Sequence, residues 1–249
     1  MNWSKYSSPQ AFYPLAGRLI PWFAIVAVAL MGVGLYMGFF VAPTDFQQGE
    51  SYRIIFVHVP AAWMSMFLYV VMAIWAGVGM GLNARLSFMM AQAIAPTGAM
   101  FTFLALLTGA MWGKPTWGAW WVWDARLTSE LILLFQYAGV MLLRTSIDDM
   151  RRADRSSAVF ALVGVVNVPI IYFSVQWWNT LHQGASVSMS TGSKMAATML
   201  MAMLIMTVAF WLYSIAVVLA RVRCIVVERD SLPVWDEKPA VIQEAVEAR

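Results

Sequence analysis

Six long apolar stretches, separated by short polar connections, set the pattern of this chain: residues 21–42, 54–82, 86–111, 127–143, 158–177 and 195–219. Each reaches or approaches the roughly 20 apolar residues that a helix needs to cross the hydrocarbon core. The runs are continuous and rich in Leu, Ala and Met, whereas strands of a membrane barrel would show short segments of alternating polarity. The pattern predicts an all-α polytopic membrane protein with six transmembrane helices. Pro60, Pro96 and Pro169 fall within or near these helices, where kinks are tolerated if neighbours satisfy the freed backbone.

Composition agrees. Hydrophobic residues make up 61% and charged residues 12% of the 249, and the mean hydropathy is +0.69; a soluble domain would carry about a quarter charged residues. The net charge of +3 raises the question of nucleic acid, but the basic residues form no continuous patch. They cluster at segment ends, which points to orientation in a bilayer and to lipid as the surrounding partner, with no nucleic acid. With both termini cytoplasmic, that side holds twelve cations: Lys5, Arg18, Arg85, Arg144, Arg151, Arg152, Arg155, Arg221, Arg223, Arg229, Lys238 and Arg249. The opposite side holds four, Arg53, Lys114, Arg126 and Lys194. This asymmetry predicts a multi-pass protein of a bacterial inner membrane whose connections after spans one, three and five face the periplasm.

Several classes drop out. The single cysteine, Cys224, follows the last span, and no C-x-x-C-H is present for covalent attachment of a c-type haem. Residues 109–115 have G-x-x-x-G-K followed by Pro, the wrong spacing for a phosphate-binding loop, so any ATP-driven step belongs to a partner subunit. The first apolar run is too long for a signal-peptide core, and V-A-P at 41–43 is a poor cleavage site, so an uncleaved anchor is expected. One membrane domain over residues 1–227, with a Trp-rich segment at 112–130, and a polar, partly disordered cytoplasmic tail at 228–249 complete the expected organisation.

Candidate chemistry concentrates on the outer face. Residues 117–128 read W-G-A-W-W-V-W-D-A-R-L-T, four tryptophans in seven residues followed by Asp124 and Arg126. Isolated tryptophans such as Trp3, Trp22, Trp63, Trp75 and Trp211 read as interfacial anchors; this cluster is too dense for anchoring alone and offers a rigid apolar shelf. If the motif is helical, Trp117, Trp120, Trp121 and Asp124 share one face, Trp123 points elsewhere, and Asp124 caps the fourth span. The only histidines, His58 and His182, fall on the same side: His58 just inside the second span, His182 in the connection after the fifth. Two imidazoles suit the axial positions of haem iron, tryptophans suit its apolar edges, and Arg53, Lys114, Arg126 and Lys194 are the cations available to its propionates. Arg126 also lies within reach of Asp124 and Glu130, and Glu130 reads as structural. Two other readings remain open: a bis-histidine membrane electron carrier and a transmembrane haem transporter. The first normally buries its ligands within the bundle, and the second calls for ionisable groups at mid-membrane.

The segment M-W-G-K-P-T-W-G-A-W-W-V-W-D-A-R-L-T-S-E-L-I-L-L, with one flanking histidine on either side, strongly resembles the WWD signature of haem-handling membrane proteins. Among these, the chain resembles the short haem exporter protein C (CcmC) family over nearly its whole length. The resemblance implies haem b bound non-covalently at the periplasmic face, with His58 and His182 as axial ligands of the iron. It implies that the segment from Trp117 to Asp124, including Trp120, Trp121 and Trp123, holds the porphyrin and meets the haem chaperone CcmE. It further implies a non-enzymatic role in cytochrome c maturation: haem is delivered to CcmE, which captures it covalently, and an ABC assembly of CcmA and CcmB with the small protein CcmD helps release the loaded chaperone.

Overall fold

The computed structural model describes residues 7–178, 180, 182 and 195–229 in full and, as backbone, residues 187–188, 192–193 and 230–247. Among the described residues, six helical segments are long and apolar enough to cross a membrane: Pro9–Val41, Glu50–Leu82, Arg85–Trp117, Ala125–Ser146, Met150–Trp177 and Ala197–Arg229. The all-α, six-span expectation holds. Every span is longer than its apolar run because the helices continue into the interfacial zones, where end signals rather than hydropathy stop them. Helix α1 (Pro9–Tyr36) starts where the Ser8 hydroxyl accepts from the Ala11 N–H and Pro9 occupies the first turn. It closes in a wider π turn at Met37–Val41.

After a 3-10 turn at Glu50–Ile54, α2 (Ile55–Leu82) and α3 (Arg85–Trp117) form a long antiparallel hairpin. Its tight turn is made by Asn83 in the left-handed region, φ 50°, a conformation that asparagine tolerates. Helix α4 (Ala125–Ser146) packs on α3, and α7 (Ala197–Glu247) lies along α1 and closes against α2 and α3. A two-residue antiparallel pairing, Val187–Ser188 with Gly192–Ser193, and an isolated antiparallel bridge between Asp45 and Gly49 are the strand-like features among the described residues. The membrane-spanning part of α7 ends at Arg229, and its backbone stays helical through Glu247.

The fifth span is two helices, α5 (Met150–Gly164) and α6 (Asn167–Trp177). Pro169 accounts for the break: it has no N–H to donate and its ring crowds the carbonyl four residues back, that of Val165. Asn167 stitches the break to α4, its Nδ2 donating to the Ser129 carbonyl at 2.9 Å. At the start of α5 the Asp149 carboxylate accepts from the Arg152 N–H at 2.9 Å. That backbone hydrogen bond holds the Asp149 carboxyl below the usual carboxylate range.

Membrane helices gain from close contact at small residues, and the core follows that rule. Gly98 on α3 admits the Tyr137 ring and Gly164 on α5 admits Tyr69; the two rings meet edge to face at 4.9 Å. Trp22 is exposed on the outside of the bundle, and Trp211, also exposed, stacks on Phe67 at 5.3 Å. Trp63 and Trp75 depart from the anchor expectation. Both are partly buried and pack against the core; Trp3 lies outside the described residues.

The bundle has two distinct ends. His58, Trp117 and Asp124 sit where α2 begins, α3 finishes and α4 begins. Asn83, Arg144 and Met150 mark the other end. Tyr13 near the start of α1 lies against Arg223 near the end of the last span, 4.3 Å from guanidinium carbon to ring centre, so the first and last spans meet the membrane boundary together.

Candidate functional site

A cleft of about 270 Å³ opens at the histidine end, lined by His58, Trp112, Trp117, Arg126, Glu130 and His182 among mainly apolar neighbours. His58 is buried in the first turn of α2. Its Nδ1 lies 3.0 Å from the Thr108 hydroxyl on α3, and that hydroxyl donates its own proton to the Leu104 carbonyl at 2.6 Å. The Thr108 oxygen is therefore the acceptor, Nδ1 carries the proton, and the lone pair resides on Nε2. Gly109 makes room for the ring: a Cβ there would stand 3.0 Å from His58 Cε1. Trp112 braces the imidazole edge-on at 5.6 Å, and its own N–H donates to Gln48 Oε1 at 2.8 Å.

His182 comes from the connection after α6, yet its ring centre lies 6.3 Å from that of His58, with the planes inclined by 36°. Trp117 flanks it at 6.0 Å, and its backbone N–H donates to the Thr180 hydroxyl at 2.8 Å. Two residues 124 positions apart in sequence thus face each other across one cleft.

The tryptophan motif is not the helix that i, i+3, i+4 spacing suggested. Gly118 adopts a left-handed conformation, φ 79°, and its N–H caps the Lys114 carbonyl at 3.1 Å. That ends α3 at Trp117, and residues 119–124 run as irregular chain. The shared face dissolves. Trp117 turns to the cleft, Trp120 and Trp123 project outward at 59% and 75% exposure, and the partly buried Trp121 meets Trp123 edge to face at 5.3 Å. Asp124 caps α4 as expected, accepting from the Leu127 N–H at 2.8 Å. Of the eight sequence candidates, His58, His182, Trp117 and Arg126 line the cleft; Trp120, Trp121, Trp123 and Asp124 do not. Trp121 Nε1 and Asp124 Oδ2 are buried without a hydrogen-bond partner.

The cations divide by task. Arg53 pairs with Glu50 and donates to the Gly38 and Ala42 carbonyls at 2.6 and 3.1 Å, which commits it to holding the end of α1. Lys114 is exposed and reaches the Gly118 carbonyl, and Lys194 lies outside the described residues. Arg126 faces the cleft while donating to the Ile171 carbonyl at 2.8 Å. Glu130, expected to be structural, lies buried in the cleft wall; its Oε1 is 2.7 Å from the Ser65 hydroxyl, and its Oε2 has no partner. Sequence reasoning did not find Thr108, Gly109 or Trp112. Their spacing puts Thr108 and Trp112 on one helical face, but nothing local says that this face meets a histidine fifty residues earlier.

The sequence model of the family described as "Heme exporter protein C" matches residues 2–237. The chain belongs to the heme exporter protein C family. Proteins named "Heme exporter protein C" from Escherichia coli strain K12, Bradyrhizobium diazoefficiens and Haemophilus influenzae are 54%, 48% and 43% identical to it. These alignments cover 72%, 87% and 92% of this chain and 73%, 82% and 94% of the respective relatives. As a family member with six membrane-spanning helices, it is a multi-pass membrane protein, and the whole cleft falls within the matched residues.

Proposed function

We propose that this protein binds haem b as cargo, non-covalently, between His58 and His182, and presents it at the periplasmic face to the chaperone CcmE. The observation that carries the reading is the spacing of the two imidazoles. Metal–imidazole bonds of about 2.0–2.1 Å, plus about 1.1 Å from nitrogen to ring centre, set two trans ligands about 6.3 Å apart, and the observed separation is 6.3 Å. The test is the optical spectrum of the purified protein: a low-spin, bis-histidine signature supports the reading, and a spectrum unchanged by loss of both histidines refutes it.

The surrounding residues fit that cargo. His58 offers Nε2 because Thr108 holds Nδ1–H; this arrangement also makes the imidazole a better donor. Trp112 and Trp117 supply apolar cover, and Arg126 is the cleft cation suited to a propionate. The protein's part is to bind, orient and expose one edge of the macrocycle. It carries out no turnover of its own, and ATP hydrolysis belongs to the CcmA subunit acting with CcmB and CcmD. The excess of arginine at the opposite end supports cytoplasmic termini.

Thr108→Val is expected to weaken haem retention by about 10–100-fold, the usual effect of losing an outer partner of a metal-bound histidine, and to shift the midpoint potential of the haem that remains. Thr108→Ser restores both. Titration of haem into the purified variants checks this; a valine variant with wild-type affinity and potential excludes the tautomer-setting role.

The outward tryptophans suit a partner's surface better than the cargo's own binding. Trp120→Ala with Trp123→Ala is expected to cut covalent loading of CcmE by about tenfold or more, as loss of exposed aromatic anchors does at interfaces, while the haem spectrum stays intact. Loading is read as haem-stained chaperone on denaturing gels. Normal loading would remove these two residues from the docking surface.

A further inference from the structure

The other end of the bundle carries a second, differently built cleft. Helix α2 runs 25 residues from His58 to Asn83, about 38 Å at 1.5 Å per residue, so the two clefts lie at opposite membrane boundaries. Around Asn83 an open vestibule of about 560 Å³ is lined by Arg85, Arg151, Arg155 and Arg229, with Asp154 as its single acid. Phe88 and Asp154, which line it, also line a neighbouring cavity of about 390 Å³ between α2, α3, α4, α5 and α7. The cavity extends along α3 from Phe88 to Pro96, about 12 Å. Its walls are mainly apolar, and small residues such as Ala76, Ala91, Ala95 and Ala161 leave a narrow slot between the helices.

The charges in the vestibule are unbalanced. Asp154 is already held by Arg229 at 2.8 and 2.9 Å and approached by Arg144 at 3.3 Å. Arg229 also donates to Gln92 Oε1 at 2.8 Å, yet its Nε, on a side chain 5% exposed, has no partner. Arg151 and Arg155 lie one turn apart on α5, both exposed; the Asp149 carboxylate is within electrostatic reach of Arg151, but neither arginine forms a close ion pair with a described residue.

We propose that this cleft seats one acidic phospholipid, its phosphate among Arg151, Arg155 and Arg229 and an acyl chain in the alanine-walled cavity. The combination selects the ligand. A free anion would use the arginines and leave the apolar slot empty, and a zwitterionic lipid would bring its own ammonium into an excess of guanidinium. A phospholipid with a net negative headgroup at the membrane boundary matches both halves. The fixed Asp154–Arg229–Gln92 bonds form a preorganised base, so binding orders only the two outer arginines.

The test uses the full chain in nanodiscs of phosphatidylethanolamine and phosphatidylglycerol in equal parts, released into detergent and examined by native mass spectrometry. Retention of one phosphatidylglycerol in preference to phosphatidylethanolamine is expected. Arg151→Gln with Arg155→Gln should weaken that retention by about fivefold for each arginine replaced. Both residues are exposed and outside the Asp154 network, so the fold is spared; haem absorbance at the far cleft verifies this. Ala161→Leu, which fills the slot, should weaken retention with all arginines present. Equal retention of both lipids, or no change in the arginine variant, overturns the proposal. Displacement by inorganic phosphate, with Ala161→Leu behaving as wild type, also overturns it by reducing the site to one for a simple anion.

Discussion

Purified protein carrying His58→Ala together with His182→Ala is expected to lose its haem absorbance, whereas each single variant keeps a weaker, high-spin spectrum. On the proposed reading the two histidines act as a clamp: in a single variant one imidazole would still ligate one face of the iron, and with neither present only apolar contact and Arg126 would remain. The loss should exceed the 10–100-fold typical of an outer partner, because a direct ligand is removed on each side. His58 is buried and braced by Thr108 and Trp112, so its truncation also leaves a void in the cleft wall. Added imidazole separates the two causes. Restored low-spin absorbance in the His58→Ala variant means that a ligand was missing, and failure to restore it in an otherwise folded protein counts against His58 as a ligand. Full haem retention in the double variant refutes the site.

Gly98→Ala should be the most damaging small substitution in the bundle. A Cβ there would lie 2.1 Å from Tyr137 Cζ and 2.3 Å from its hydroxyl oxygen, too close for any rotamer adjustment at Gly98 to relieve. Tyr137 has nowhere to go. It is fully buried, packs edge-on against Tyr69 at 4.9 Å, and donates to the Ser65 carbonyl at 2.7 Å. Overpacking costs about 1–3 kcal/mol, and the stranded tyrosine hydroxyl about 1–3 kcal/mol more. Ser65 also holds Glu130, so the disturbance reaches the cleft wall. A lower Tm of the detergent-solubilised protein, accompanied by weaker haem retention, is the expected result. Tyr137→Leu in the Gly98→Ala background should recover part of the loss in Tm by vacating the space. Wild-type stability of Gly98→Ala would contradict the close approach of α3 and α4.

The cleft depends on particular breaks in regular structure. Gly118 stops α3 at Trp117, which frees the motif from helical register and lets Trp117 turn inward while Trp120 and Trp123 turn outward. Asp124 then restarts the chain as α4, placing Arg126 and Glu130 at the cleft. Pro169 breaks the fifth span, and Ile171, just beyond the break, supplies the carbonyl that holds Arg126. A regular motif helix would have put Trp117, Trp120 and Trp121 on one side; the chain instead turns Trp117 into the cleft and Trp120 outward.

Hydropathy alone determined the six spans, because crossing a bilayer requires long apolar helices whatever their partners. The Asp124 cap was legible as well, since capping is local chemistry between residues three apart. The density of tryptophans and the scarcity of histidines were enough to mark the end of the bundle where the cleft lies. Only tertiary structure decided that His58 and His182 stand 6.3 Å apart, that Thr108 sets the protonated nitrogen, and that Glu130 enters the cleft wall with one oxygen unpaired. It also decided which tryptophans of the motif face inward. Those outcomes depend on contacts between residues far apart in the chain and on one glycine whose left-handed turn overrides helical spacing. The arginine vestibule shows the same division: segment-end cations predicted an orientation, but their assembly around Asp154 and above an apolar slot arises from helix packing, to which the order of residues along a single helix is blind.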